Sequence, residues 1–166
     1  MDTYNTLINY IEFYFARPHK QVQSFGEGFY DDAMSFYTDE IGGMYVVLTD
    51  VQHLQNSISQ YNLRCYFIDI LKNDNVNQRE VISDQLQISR DFVNWLRNDK
   101  TGGAQHLNLL NDPTAFPVRS LFLDYTAGVY IDCAIEVETE MTDCVIPFEG
   151  YSNPAFNDPT YVNITG

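Results

Sequence analysis

The sequence predicts an α+β domain in which an antiparallel or mixed sheet packs against two helices, with a long loop and an extended C-terminal arm. Three observations carry this. From Val129 to Glu138 apolar residues alternate with polar or small ones, and side chains on a strand point to opposite faces with period two. Val129, Ile131, Cys133, Ile135 and Val137 are therefore expected to face a core. Two other segments place apolar residues at helical spacing instead. Finally, a chain of 166 residues that is 45% hydrophobic and 14% aromatic is long enough for one buried core.

The first helix rests on Tyr4, Leu7, Ile8, Ile11, Tyr14 and Phe15, with Asp2 or Thr3 as N-cap and an end near Pro18. Residues 19 to 43 mix Gly26, Gly28, Gly42 and Gly43 with Phe25, Phe29, Tyr30, Phe36 and Tyr37. This reads as a long, partly ordered loop whose aromatics must be buried under the domain or against a neighbour. Met44 to Val51 reads as a strand. After a polar turn at His53 to Asn56, Ser57 to Leu71 reads as a longer one, apolar on both faces near its end.

Asn77 with Glu80 resembles a capping box. The helix it opens runs to about Asn98, burying a broad face of Val81, Ile82, Leu86, Ile88, Phe92, Val93, Trp95 and Leu96, and Gly102-Gly103 stops it. A strand region at Gln105 to Leu110 follows, broken up by Pro113 and Pro117. Val118 to Asp124 and Ala127 to Glu140 are expected to form a hairpin turned near Asp124-Tyr125-Thr126. Beyond Pro147 the chain holds Pro154 and Pro159 but keeps Phe148, Tyr151, Phe156, Tyr161 and Val162, a pattern that suggests a docking arm. Residues 1–147 are thus read as one domain and 148–166 as the arm.

The net charge is −14, with only nine Lys and Arg. That argues against nucleic-acid binding, which depends on cations that neutralise phosphates. It is compatible with DNA passing close by, because like charges repel within a Debye length of about 8 Å. The second face of the 129–138 run carries Asp132, Glu136 and Glu138, with Glu140 next in phase, and this acidic stripe suggests a wall facing a polyanion. A DNA mimic is the other acidic reading, but here carboxylates gather in patches such as Asp31-Asp32 and Asp39-Glu40.

Cys65, Cys133 and Cys144 form no CxxC, and Cys65 and Cys133 read as reduced, packed thiols. His19, His53 and His106 lack metal-ligand spacing. No apolar stretch approaches the about 20 residues that span a bilayer, and Met1 to Asn5 do not read as a secretion signal. No nucleotide, hydrolase or calcium motif is present. Asp132 and Glu136 would stand about 13 Å apart along a strand, beyond the about 5 to 9.5 Å of glycosidase pairs. The expectation is no enzyme, no cofactor and no metal site.

The element order, and the segment Leu123-Asp124-Tyr125-Thr126-Ala127-Gly128-Val129-Tyr130-Ile131-Asp132 leading into an alternating strand, resemble phage neck, tail-terminator and tail-completion proteins. The match covers residues 4 to 146 by element order, and the loop of residues 19 to 43 departs from it by its length. The Tyr, Asn and Asp bias with the Asp143-Cys144-Val145-Ile146-Pro147 ending is similar to structural proteins of Bacteroides phages, crAss-like ones among them.

The resemblance implies a non-enzymatic virion protein, made in the host cytoplasm, that assembles with itself into a ring of six or twelve subunits. Such a ring sits at the head-to-tail junction or tail end beside portal, neck or tail proteins, and DNA passes through it without sequence-specific binding. On this reading Asp132, Glu136, Glu138 and Glu140 face the lumen. Phe25, Phe29, Phe36, Phe148, Phe156 and Tyr161 face neighbours. The alternative is an acidic cytoplasmic binding or inhibitor protein, a DNA mimic or regulator. A small carboxylate hydrolase is a third reading with less support.

Overall fold

The computed structural model describes residues 4–39, 42–56, 58–72, 76–98 and 107–138. Its fold is α+β, a mixed six-stranded sheet with three α-helices. In chain order these are α1 (Tyr4–Ile11), β1 (Phe25–Gly28), α2 (Ala33–Asp39), β2 (Gly43–His53), β3 (Ile58–Ile70), α3 (Gln78–Asn98), β4 (Leu107–Leu109), β5 (Phe116–Arg119) and β6 (Thr126–Glu138). The sheet runs β1-β2-β3-β6-β4, and β5 also pairs with β6. Only β1 and β2 are parallel.

The main core lies between one sheet face and the helices. Val129, Ile131, Cys133, Ile135 and Val137 are all buried there, as their alternation requires. Leu63, Cys65 and Phe67 of β3 and Met44 and Val46 of β2 extend the same layer. From the helices come Leu7, Ile11 and Phe15, then Ile88, Phe92, Trp95 and Leu96. Phe92 is 0% exposed and its ring lies 5.0 Å from Phe15 and 6.0 Å from Trp95. Leu86, expected on the buried face of α3, is instead exposed, because the buried positions 81, 85, 88, 89, 92, 95 and 96 leave it on the far side of the helix. Asn77 does not act as a capping box. Its Oδ1 accepts the Lys72 amide at 2.8 Å and ties down the preceding turn.

After Ile11 the first helix widens into a π-turn over Glu12–Ala16, with the Arg17 amide donating to the Glu12 carbonyl at 2.9 Å. Phe15 and Ala16 are buried, while Phe13 and Tyr14 face outward.

Residues 19 to 43 are not a loop throughout. Phe25–Gly28 pairs in parallel with Met44–Val47, and a short 3₁₀ turn at Tyr30–Asp32 leads into α2. Ala33, Phe36 and Tyr37 stand at i, i+3 and i+4, and that stripe drives α2 onto the sheet. Gly26 is required here: a Cβ on it would stand 2.5 Å from the Phe36 ring.

The expected hairpin is also different. β5 ends at Arg119, and residues 120–125 arch across the sheet between Ser120 and Tyr125, both at positive φ. Burial of Phe122 pulls the arch inward. Gly128, at the start of the alternating strand, allows close approach: a Cβ there would lie 2.0 Å from the Phe67 carbonyl oxygen.

Replacing Phe92 with Ala removes the ring on which Phe15, Phe67 and Trp95 converge. The expected loss is about 3 to 5 kcal/mol, read from the denaturant midpoint at unchanged slope.

Candidate functional site

The face of the sheet away from α1 and α3 has two halves of different chemistry. At one end Tyr45 and Val47 of β2 and Tyr66 and Ile68 of β3 meet Tyr37 and Phe122 in a second core. Phe122 stacks on Tyr37 at 5.3 Å and meets Tyr66 edge-on at 5.0 Å. The phenols find partners: Tyr37 donates to the Gly43 carbonyl at 3.1 Å and Tyr45 to the Phe29 carbonyl at 3.3 Å. Burial pushes the Tyr37 pKa well above its ordinary value.

The other half is polar and open. Full-length pairing of β3 with β6 sets Arg64 opposite Asp132, Asn62 opposite Ala134 and Gln60 opposite Glu136. Arg64 grips Asp132 bidentately, Nε to Oδ1 at 2.7 Å and Nη2 to Oδ2 at 3.0 Å, and its guanidinium lies 4.5 Å over the Tyr130 ring. That hydrogen bond holds the Arg64 proton more tightly than usual. Gln60 donates to Asn62 at 3.1 Å, and Asn62 donates to Asp50. Thr49, Asn111 and Asp132 border a shallow groove of about 290 Å³ over this half.

The acidic stripe is thus less acidic than the strand alone suggests. Asp132 is neutralised by Arg64, a cation supplied from the neighbouring strand. Glu136 is half-buried between Gln60 on β3 and Asn108 on β4, with no cation opposite it. Glu138 continues the strand in phase, and Glu140 lies outside the described residues.

The interface candidates separate as well. Phe25 packs against the main core and Phe36 against the second one, so both are committed largely within the subunit. The reason is that β1 and α2 are regular elements of the domain. Phe29 is 77% exposed, and Tyr30 and Met34 nearby in sequence are exposed too, although the Tyr30 ring leans on Phe122 at 5.3 Å. Phe148, Phe156 and Tyr161 lie outside the described residues.

The two sheet edges are unlike. On the β6 side, β4 covers Ile135 to Val137 and β5 covers Ala127 to Tyr130. Between them the Asn111 side chain behaves as a strand peptide: Nδ2 donates to the Asp132 carbonyl at 2.8 Å and Oδ1 accepts the Ala134 amide at 3.0 Å. Pro117 sits in β5, as suits an edge strand. On the other side β1 stops at Gly28, opposite Val47, so Leu48 to His53 of β2 carry no outer strand among the described residues. A bulge marks the start of this open edge between Leu48 and Asp50.

Sequence reasoning placed Asp132 and Glu136 on one face but missed Arg64, Asn111 and Phe116, whose ring stacks on Tyr130 at 5.1 Å. Arg64 alternates with Leu63 and Cys65 in the expected strand, which was a usable signal for its face though not for its partner.

Cys65 and Cys133 are buried and free, and the hydrogen bond between them, with burial, pushes the Cys65 thiol well up. His19 Nε2 lies 2.8 Å from Asp91. No group of three or more His, Cys, Asp or Glu suited to a metal occurs among the described residues, and none of their helices is long and apolar enough to cross a membrane. The chain matches no model of a known protein family and no curated protein sequence.

Two outcomes are expected. A double-mutant cycle with Arg64→Gln and Asp132→Asn should give a coupling of about 1 kcal/mol, because the pair is bidentate but part-solvated. Chemical denaturation of the four proteins measures it. At the end of β3, burial and the neighbouring Asp84 raise the Asp69 pKa, while the Ile70 amide opposes them. A carboxyl raised in the folded state adds stability that is fully present below its unfolded pKa, about 3.9. That stability is lost as pH rises through the folded value. Asp69→Asn should flatten this part of the stability–pH curve, and an unchanged curve would locate the slope elsewhere.

Proposed function

We propose that this chain is a structural virion subunit that joins with copies of itself in a ring at a phage head-to-tail junction, as a neck connector or tail terminator, with DNA passing through. The observation that carries the reading is the asymmetry of the sheet. One edge is closed by β4, β5 and the Asn111 clip, and the other carries no outer strand over Leu48 to His53 among the described residues, beside the exposed Phe29. Unlike surfaces on one subunit suit heterologous, head-to-tail contacts, which close into a ring when the rotation between neighbours closes and run on as a filament when it does not. A net charge of −14 supports a conduit that DNA crosses without adhering. Six or twelve copies, and portal, neck or tail proteins as neighbours, follow from the resemblance described above.

The pairing of Asp132 with Arg64 narrows the proposed lumen to Glu136 and Glu138, with Glu140 continuing it in sequence. In a closed ring each repeats around the axis and sums to a negative collar.

Native mass spectrometry should find assemblies at multiples of the 19.2 kDa subunit, alone or with portal or tail partners. A strictly monomeric chain under all these conditions would sink the ring reading. Glu136→Lys with Glu138→Lys should leave the fold nearly intact and slow DNA ejection, with the defect easing as salt screens the wall. Ejection at the original rate in that variant would remove these residues from the lumen.

A further inference from the structure

We infer that a small cavity beside α3 binds a single calcium ion through the Asp69 carboxylate and the side-chain oxygen of Gln85. The inference goes beyond the assembly reading and does not depend on it. The cavity lies where the end of β3, the start of β2, α3 and the segment 21–23 meet. Its volume is about 10 Å³, room for one water-sized body. Phe67 and Ile88 form an apolar wall, Asp69 and Gln85 supply polar groups, and Gln21 and Gln23 border it.

Gln85 marks the cavity as a polar site. It stands on the buried face of α3 with Val81, Ile88 and Phe92 and is 6% exposed. Its side-chain amide has no hydrogen-bond partner among the described residues. A buried amide without a partner costs stability that a leucine at the same place would not. A guest that binds the amide oxygen offsets that cost.

Asp69 decides the sign of the guest. Its Oδ1 accepts the Ile70 amide at 2.7 Å and lies so close to Gly42 that a Cβ there would stand 2.6 Å away. The carboxylate keeps further lone pairs for a ligand. It is partly desolvated, Asp84 repels it, and no basic side chain lines the cavity. The guest is therefore a cation, and carboxylate and amide oxygens suit a hard one. Room for one water-sized body obliges the ion to shed most of its water, which Mg²⁺ does reluctantly and Ca²⁺ more readily. Asp69 and Asp84 together balance its double charge, with Asp69 as the ligand.

The walls are fixed in advance. His19 Nε2 lies 2.8 Å from Asp91 of α3, and the Gln21 amide donates to His19 Nδ1 at 3.2 Å. Beyond the segment, the Ser24 carbonyl accepts the Met44 amide at 2.9 Å. Residues 21–23 are thus tied to α3 at one end and to β2 at the other, so little ordering remains to be done on binding.

The test is calcium chloride titrated into the full-length chain at constant ionic strength, read by calorimetry and by thermal unfolding, with magnesium chloride as the control. One saturable site is expected with half-saturation at about 10⁻⁴ to 10⁻³ M, the weak range that suits a single ligating carboxylate. The melting temperature should rise with calcium and respond little to magnesium. Gln85→Leu and Asp69→Asn should each weaken binding about tenfold or more, since affinity follows ligand number and charge. Gln85→Met serves in place of Gln85→Leu if the latter fails to fold. No saturable binding up to about 10 mM calcium, an equal response to magnesium, or unchanged affinity in either variant would overturn the inference.

Discussion

The antiparallel pairing of β3 with β6, in unbroken register from Ile58 opposite Glu138 to Ile70 opposite Thr126, is the constraint on which the other features depend. It aligns Leu63, Cys65 and Phe67 with Cys133, Ile131 and Val129 to make the floor of the main core. The same register places Tyr66 beside Tyr130 and Arg64 beside Asp132 on the opposite face. A slip of one residue would turn both faces over at once, setting charges against α3 and apolar residues against solvent. The pairing is therefore specified from both sides, by a dry core on one and by an aromatic and ionic layer on the other. Gly128 lets the two backbones meet closely where the aromatic arch crosses.

The division of the second face into an aromatic half and a polar half follows from where α2 and the 120–125 arch can reach. Both cover the end of the sheet near Tyr45 and Tyr66, drawn there by Tyr37 and Phe122. Beyond them β3 carries Arg64, Asn62 and Gln60, side chains that satisfy one another and tolerate water. Local charge on this face is consequently governed by pairing. The chain is strongly acidic overall, yet Asp132, in the middle of the sheet, is held by a guanidinium.

Much of the fold was legible because its signals are local. The alternation from Val129 to Val137 marked a core face that the structure buries completely, and the spacing in α3 marked its helix. Ala33, Phe36 and Tyr37 also carry a helical stripe, but the surrounding glycines and aromatics obscure it, and the sequence of β1 and α2 looks like loop. The arch at 120–125 looked like strand because Leu121, Phe122 and Leu123 are apolar; they are held by tertiary stacking on Tyr37 and Tyr66, which local pattern does not encode. The site was less legible. Arg64 and Asp132 stand 68 positions apart, and only the register of two strands brings them together. Asn111 carried no pattern at all, since its role is to stand where a backbone would.

That substitution of a side chain for a peptide has a chemical consequence. A backbone amide in a ladder is durable, whereas an asparagine side chain can lose ammonia by hydrolysis. If Asn111 became aspartate, its Nδ2 donor would be replaced by an oxygen facing the Asp132 carbonyl, and attraction would turn to repulsion. The closed edge between β4 and β5 would then age by a single atom exchange, exposing the β6 backbone at Asp132 and Ala134. One margin of the sheet is thus secured by a bond with a finite chemical lifetime.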